Sequence, residues 1–197
     1  MDMKKVMEDI YRLLARQILD DYGIKSGLCL EVGLDHGSLG LELLKISDLH
    51  LIIAEPDARL LDAVRKKPGF ADFMSRVLLL PTTLTKLPLP DASADLVISR
   101  GALWDWEDKV GVLKEIGRVL KPGAVAFVGG GPGRYLPPEE RELFTAKREG
   151  AQKNPADLEK FRRLRSGEEL LRLGKEAGLK DFKLIPDPPG NWLEIRG

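Results

Sequence analysis

The sequence predicts an α/β fold in which a mostly parallel sheet is covered by helices on both faces, and three observations predict it. Seven short apolar runs read as strands, and amphipathic helical stretches lie between the first and second, the second and third, and the fourth and fifth of them. Glycine-bearing turns follow several of those runs. The last two runs flank a turn-rich connector too short for a helix, which makes them an antiparallel hairpin closing one sheet edge. Parallel strands need long crossovers, and the helical stretches supply them, giving a three-layer sandwich.

Met3, Val6, Met7, Ile10, Leu13, Leu14 and Ile18 recur at three- and four-residue spacing, so an N-terminal helix with one apolar stripe is expected to end near residues 21–23. Residues 28–33 read as a buried strand, followed by a glycine-bearing turn and a helix over 39–44. The pattern repeats as strand 51–54, helix 58–67, strands 77–80 and 96–99, helix 110–120 and strand 124–128, with Lys121-Pro122-Gly123 stopping the helix. The hairpin pairs 182–186 with 192–195 across Asp187-Pro188-Pro189-Gly190-Asn191. Residues 131–166 break the rhythm as a charged helical insertion over one end of the sheet, expected to cap a substrate. From Arg134 to Arg165 it carries nine bases (134, 141, 147, 148, 153, 160, 162, 163, 165) against six acids (139, 140, 142, 149, 157, 159).

With 197 residues the chain is read as one domain, residues 1–197, and its 43% hydrophobic and 31% charged residues exclude collagen-like, disulfide-scaffold and wholly disordered classes. Lys plus Arg equals Asp plus Glu at 31 each, so no global field draws nucleic acid or an anionic membrane. The single cysteine, Cys29, rules out an internal disulfide and a multi-thiolate metal site; it reads as a small core hydrophobe. No metal is expected. No apolar run approaches the roughly 20 residues of a membrane span, and the N-terminus lacks a signal core, so a cytoplasmic location is expected.

In an open parallel sheet, ligands bind beyond the carboxyl ends of the strands. The first loop there, Glu31-Val32-Gly33-Leu34-Asp35-His36-Gly37-Ser38, has glycines that allow close approach of the backbone to a ligand. The second strand ends at Glu55, 24 residues after Glu31, where a carboxylate can accept from both ribose hydroxyls. A dinucleotide fingerprint needs glycine two residues after Gly33. Asp35 stands there, and its charge would repel a diphosphate, so a nucleoside without phosphate is favoured.

These motifs give the chain a resemblance to the class I S-adenosylmethionine-dependent methyltransferases, most closely to the small-molecule, ubiquinone/menaquinone-type branch (methyltransferase type 11-like), over nearly its whole length. The carriers are LEVGLDHGSLG, IIAEPDARLLDAVRK, LPLPDASADLVISRG, EIGRVLKPGAVAFVGGG and the terminal EELLRLGKEAGLKDFKLI with NWLEIRG, in the family's order and spacing. The resemblance implies a Rossmann-like fold and S-adenosylmethionine as cofactor, with S-adenosylhomocysteine as product. It implies that Gly33, Asp35 and Gly37 border the methionine part, that Glu31 steadies their loop, and that Glu55 holds the ribose with Pro56 near the adenine. Thr83 and Leu84 match the place where many members carry Asp-Ala beside the adenine amino group. Ser99 and Arg100 end the fourth strand near the sulfonium.

Two positions depart from the family pattern: Asp35 where many relatives have glycine, as some catechol-type members also lack, and Thr82-Thr83-Leu84 in place of Gly-Asp-Ala. The second removes a charge-assisted bond, so weaker cofactor binding is expected. Methyl transfer is an in-line displacement that a protein promotes by alignment and exclusion of water, with a general base only for a protonated acceptor. Candidates on the acceptor side are His36, Arg100 and Trp104, with Asp105 and Trp106 beside them. His50 precedes a strand and reads as structural, and Asp105, Glu107 and Asp108 read as the acidic start of a helix. Residues 1–23 are expected to lid the cofactor or form a dimer face, leaving monomer or homodimer. The reading is methyl transfer to a small-molecule acceptor. The alternative is a non-catalytic member that binds adenosylmethionine or adenosylhomocysteine as a partner subunit. Neutral charge disfavours a nucleic-acid substrate, and the missing fingerprint disfavours an oxidoreductase.

Overall fold

A computed structural model describes residues 2–34, 39–151 and 154–197. Seven strands form one sheet: β1 (Ser26–Val32), β2 (Asp48–Glu55), β3 (Val77–Pro81), β4 (Ala94–Arg100), β5 (Leu120–Gly129), β6 (Asp181–Asp187) and β7 (Gly190–Arg196). Their order is β3-β2-β1-β4-β5-β7-β6. The first five are parallel, and β7 pairs antiparallel with both β5 and β6. The Rossmann-like sheet with its terminal hairpin is therefore as the sequence predicts.

Alternating side chains on each strand feed two cores. One face carries Leu30, Val32, Val97, Ala126 and Leu193 against α4 (Lys109–Val119) and α7 (Gly167–Glu176). The other carries Cys29, Leu51, Ile53, Ile98 and Phe127 against α1 (Met3–Tyr22), α2 (Leu39–Leu44) and α3 (Ala58–Arg65). Cys29 is buried there, and burial first, then the nearby Glu31, push its thiol up from its ordinary range. The stripe predicted on α1 is the buried face: Val6, Ile10, Leu14 and Ile18 are fully covered. This helix packs on α2 and on α5 (Pro138–Gly150), which with α6 (Pro155–Leu164) makes up the helical segment expected as the cap.

Three local expectations change. Helix α4 ends at Val119, and Leu120-Lys121-Pro122-Gly123 opens β5 rather than a connector; the register against β4 shifts between Ala94 and Leu96, an irregularity that accommodates Pro122, which has no N–H for the ladder. His50 lies within β2, between buried Leu49 and Leu51, with its side chain exposed. A 3-10 helix over Phe70–Arg76, absent from the sequence reading, places Arg76 to donate to the carbonyls of Leu44, Ser47 and Leu49. These carbonyls lie at and beyond the end of α2, where a cation satisfies orphan acceptors.

Candidate functional site

Strand order reverses between β1 and β4, so the loops that leave these neighbours run in opposite directions and open a crevice between them. Glu31, near the end of β1, is buried and accepts from the N–H groups of Leu39 at 2.7 Å and Gly40 at 3.3 Å. It therefore satisfies donors at the start of α2 and anchors the first loop. Gly33 takes φ of 71° and donates to the Ala54 carbonyl at 2.8 Å. A Cβ built there would stand 2.8 Å from both Ala102 Cβ and Trp106 Nε1, so only glycine lets the loops after β1 and β4 meet. Asp35, His36 and Gly37 lie outside the described residues.

Glu55 closes β2 at 7% exposure. One carboxylate oxygen accepts from Leu34 N–H at 2.8 Å and the other from Asp57 N–H at 2.9 Å. The acid thus ties the first loop to the second, and each oxygen keeps a further lone pair for another donor. Pro56 is exposed beside it. Leu84 is buried and packs 3.5 Å from the Gly33 Cβ position, whereas Thr83 is exposed and no described contact brings it to the loop.

The loop carrying Leu84 is pinned from α4. Glu115 accepts from Leu87 N–H at 2.7 Å and from Arg118 Nη2 at 2.6 Å, and Arg118 donates to the carbonyls of Leu87 and Leu89. The Arg118 hydrogen bonds hold the Glu115 carboxyl below its ordinary range, against the opposing effect of burial. Asp108 caps α4 by accepting from Gly111 N–H at 2.7 Å, as expected for the acidic helix start.

The end of β4 and the turn after it concentrate unmet polar groups. Among the described residues, Ser99 Oγ, Arg100 Nε, Trp104 Nε1 and Trp106 Nε1 are buried without a hydrogen-bond partner. Such groups cost about 1–3 kcal/mol each unless something else bonds to them. Trp106 Nε1 lies beside Gly33, where it can meet a polar ligand on the first loop, while Arg100 and Trp104 lie toward α1 and the cap. Arg100 is 6% exposed and donates to Tyr11 Oη at 3.2 Å, its guanidinium lying 4.7 Å from that ring. It therefore faces α1 and the cap, and Trp104 does likewise with Arg165 5.0 Å from its ring. Sequence reasoning did not single out Tyr11, Phe144 or Phe161. The basic excess of the cap was a signal for Arg148 and Arg165 without assigning either. Among the described residues no group of three or more His, Cys, Asp or Glu is placed to hold a metal, and no helix is long and apolar enough to cross a membrane.

A family model described as a methyltransferase domain matches residues 30–128, half of the chain, from β1 through β5. The chain belongs to that methyltransferase-domain family. Over 98% of its length it is similar, at 29% identity and a TM-score of 0.83, to 87% of a provisionally named S-adenosyl-L-methionine-dependent methyltransferase from Methanococcus maripaludis. A methyltransferase of the same dependence from Aquifex aeolicus shares the fold at 17% identity and a TM-score of 0.65, with 99% of this chain and 97% of that one covered. Phosphoethanolamine N-methyltransferase 2 from Haemonchus contortus, in complex with S-adenosyl-L-methionine, shares it at 20% identity and a TM-score of 0.59, over 87% of this chain and 38% of its own. None of the curated proteins matches the sequence. The methyltransferase is thus of the class I, S-adenosylmethionine-dependent kind, and S-adenosylmethionine is its cofactor.

Proposed function

We propose that this methyltransferase moves a methyl group from S-adenosylmethionine to a small-molecule acceptor within the crevice between β1 and β4. Bound there, the cofactor supplies an electrophilic methyl on a sulfonium and leaves as adenosylhomocysteine. The observation that carries the reading is Glu55, a buried acid at the end of β2, oriented by two backbone N–H groups and retaining acceptor capacity for a ribose diol.

The remaining roles follow the family resemblance. Gly33, with Asp35 and Gly37 on the same loop, lets the methionine tail approach the backbone, and Glu31 holds that loop through α2. Pro56 and Leu84 flank the adenine, with the Thr83 hydroxyl near its amino group. Ser99 and Trp106 offer unmet polar groups beside the tail. Arg100 and Trp104 stand on the acceptor side, where His36 is the candidate base for a protonated nucleophile. Alignment of donor and acceptor and exclusion of water by the cap are the chief contributions, together worth several kcal/mol.

Calorimetric titration tests the reading. Adenosylmethionine and adenosylhomocysteine are expected to bind, and Glu55→Ala is expected to weaken both by about 1.5–3 kcal/mol, the range for losing a charged acceptor. Failure of the wild-type protein to bind either compound would overturn the proposal. Binding with no methyl consumed across a panel of small acceptors would favour a partner subunit that holds the nucleoside without turning it over.

A further inference from the structure

Trp106 stands just ahead of α4, after the 3-10 turn Ala102–Trp104, and is 8% exposed. Asp108 caps the helix behind it and Lys109 Nζ donates to its carbonyl at 2.6 Å, so contacts at the start of α4 hold its backbone. The ring reaches the first loop. A Cβ at Gly33 would stand 2.8 Å from Trp106 Nε1 and from Ala102 Cβ, and 3.5 Å from Leu84 Cδ1. Of these three neighbours only the indole N–H is polar, and it is buried without a hydrogen-bond partner. Trp192 shows the contrast, because its Nε1 is equally enclosed but donates to Asp187 at 2.8 Å.

An indole nitrogen donates and never accepts, so the group that completes Trp106 is an acceptor. The neighbouring backbone donors are already committed: Gly33 N–H donates to the Ala54 carbonyl and Leu34 N–H to Glu55, each at 2.8 Å. An anionic group laid on Gly33 therefore finds both of these amides in use and takes its donor from Trp106. The methyl groups of Ala102 and Leu84 beside the indole keep the surroundings apolar, where such a bond is stronger than in water. S-adenosylmethionine carries one anionic group, the carboxylate of its amino-acid tail, and its charge makes it the strongest acceptor of the molecule.

We propose that the Trp106 indole N–H donates to the tail carboxylate of the cofactor and so selects nucleosides that carry this tail over those that end at a methylthio group. The assignment rests on the function proposed above, in which Gly33 borders the methionine part. Glu55 meets the ribose of both kinds of nucleoside and does not discriminate between them.

Adenosylhomocysteine and methylthioadenosine, which has the same nucleoside without the amino-acid tail, are titrated calorimetrically into the wild type and two variants. Trp106→Phe removes the N–H, and replacement of the Trp106 indole by benzothiophene removes it while keeping the shape of the ring. Both variants are expected to weaken adenosylhomocysteine about tenfold or more, as for loss of a charge-assisted bond, and to leave methylthioadenosine within about twofold. The benzothiophene variant should keep the wild-type urea midpoint, because the N–H has no partner to lose in the free protein. In the wild type the Trp106 indole N–H resonance should move downfield with adenosylhomocysteine and not with methylthioadenosine, a readout that stands even where Trp106→Phe does not fold. Equal weakening of the two nucleosides, or an indole resonance that responds alike to both, overturns the role of Trp106. If the wild type binds adenosylhomocysteine and the benzothiophene variant binds it equally well, that role falls and the cofactor reading stands. If the wild type binds neither nucleoside, the cofactor reading itself falls and takes the role of Trp106 with it.

Discussion

At position 55 a carboxylate accepts from Leu34 and Asp57, and at position 33 a glycine leaves room for the indole of Trp106; between them these two residues shape the cofactor loops. Gly33→Ala places a methyl group 2.8 Å from Ala102 Cβ and Trp106 Nε1 on a backbone at φ of 71°. A left-handed non-glycine residue costs about 1–2 kcal/mol before any clash, so a urea titration should show the variant destabilised by at least that amount. An unchanged midpoint would mean that the two loops do not meet at Gly33. Both positions were legible in the sequence because each ends an apolar run at the carboxyl edge of the sheet. Tyr11 was not: its partner Arg100 is 89 residues away, and no local pattern announces so distant a pairing.

At the scale of elements, two acids hold the segments that surround the crevice. Glu115 joins α4 to the loop bearing Leu84, and its carboxyl sits below the ordinary value of 4.5. A carboxyl lowered in the folded state contributes stability that is complete above its unfolded value and is lost as pH falls through the folded one. The stability gap between the wild type and Glu115→Gln should therefore be full at pH 6 and shrink as pH falls below about 4.5. Urea titrations across that range check this, and a gap independent of pH would contradict it. Asp187 fastens the cap to the terminal hairpin, accepting from Gly133 N–H and Arg141 Nη1 at 2.7 Å and from Trp192 Nε1 at 2.8 Å. In Asp187→Asn the amide keeps one acceptor but turns a donor toward Arg141, at a cost of about 1–3 kcal/mol. Backbone amides of α5 should then exchange with solvent faster than in the wild type; unaltered exchange there would show that the cap is held by other contacts. Strand and helix positions were largely legible from apolar spacing. The start of β5 was not, because Lys121-Pro122-Gly123 reads locally as a stop signal while pairing with β4 draws it into the sheet. The 3-10 helix at Phe70–Arg76 has no buried residue and therefore no apolar pattern to reveal it.

At the scale of the molecule, the reversal of strand order between β1 and β4 converts a one-dimensional succession of loops into one crevice, and α1 packs on α2 and α5. The sandwich and the edge hairpin were legible because parallel strands leave few alternatives for their crossovers. The position of the cap was not, since α5 is fixed by Arg141 on the distant Asp187 and by Phe144 packing with Val6, Ile10 and Leu136, and α6 buries no residue completely. A crystal of the protein grown with adenosylhomocysteine measures the central claim directly, through the separation between the Glu55 carboxylate and the ribose hydroxyls. The account predicts about 2.6–3.0 Å to one or both. Nucleoside density elsewhere in the molecule, with Glu55 bonded only to Leu34 and Asp57, would contradict it.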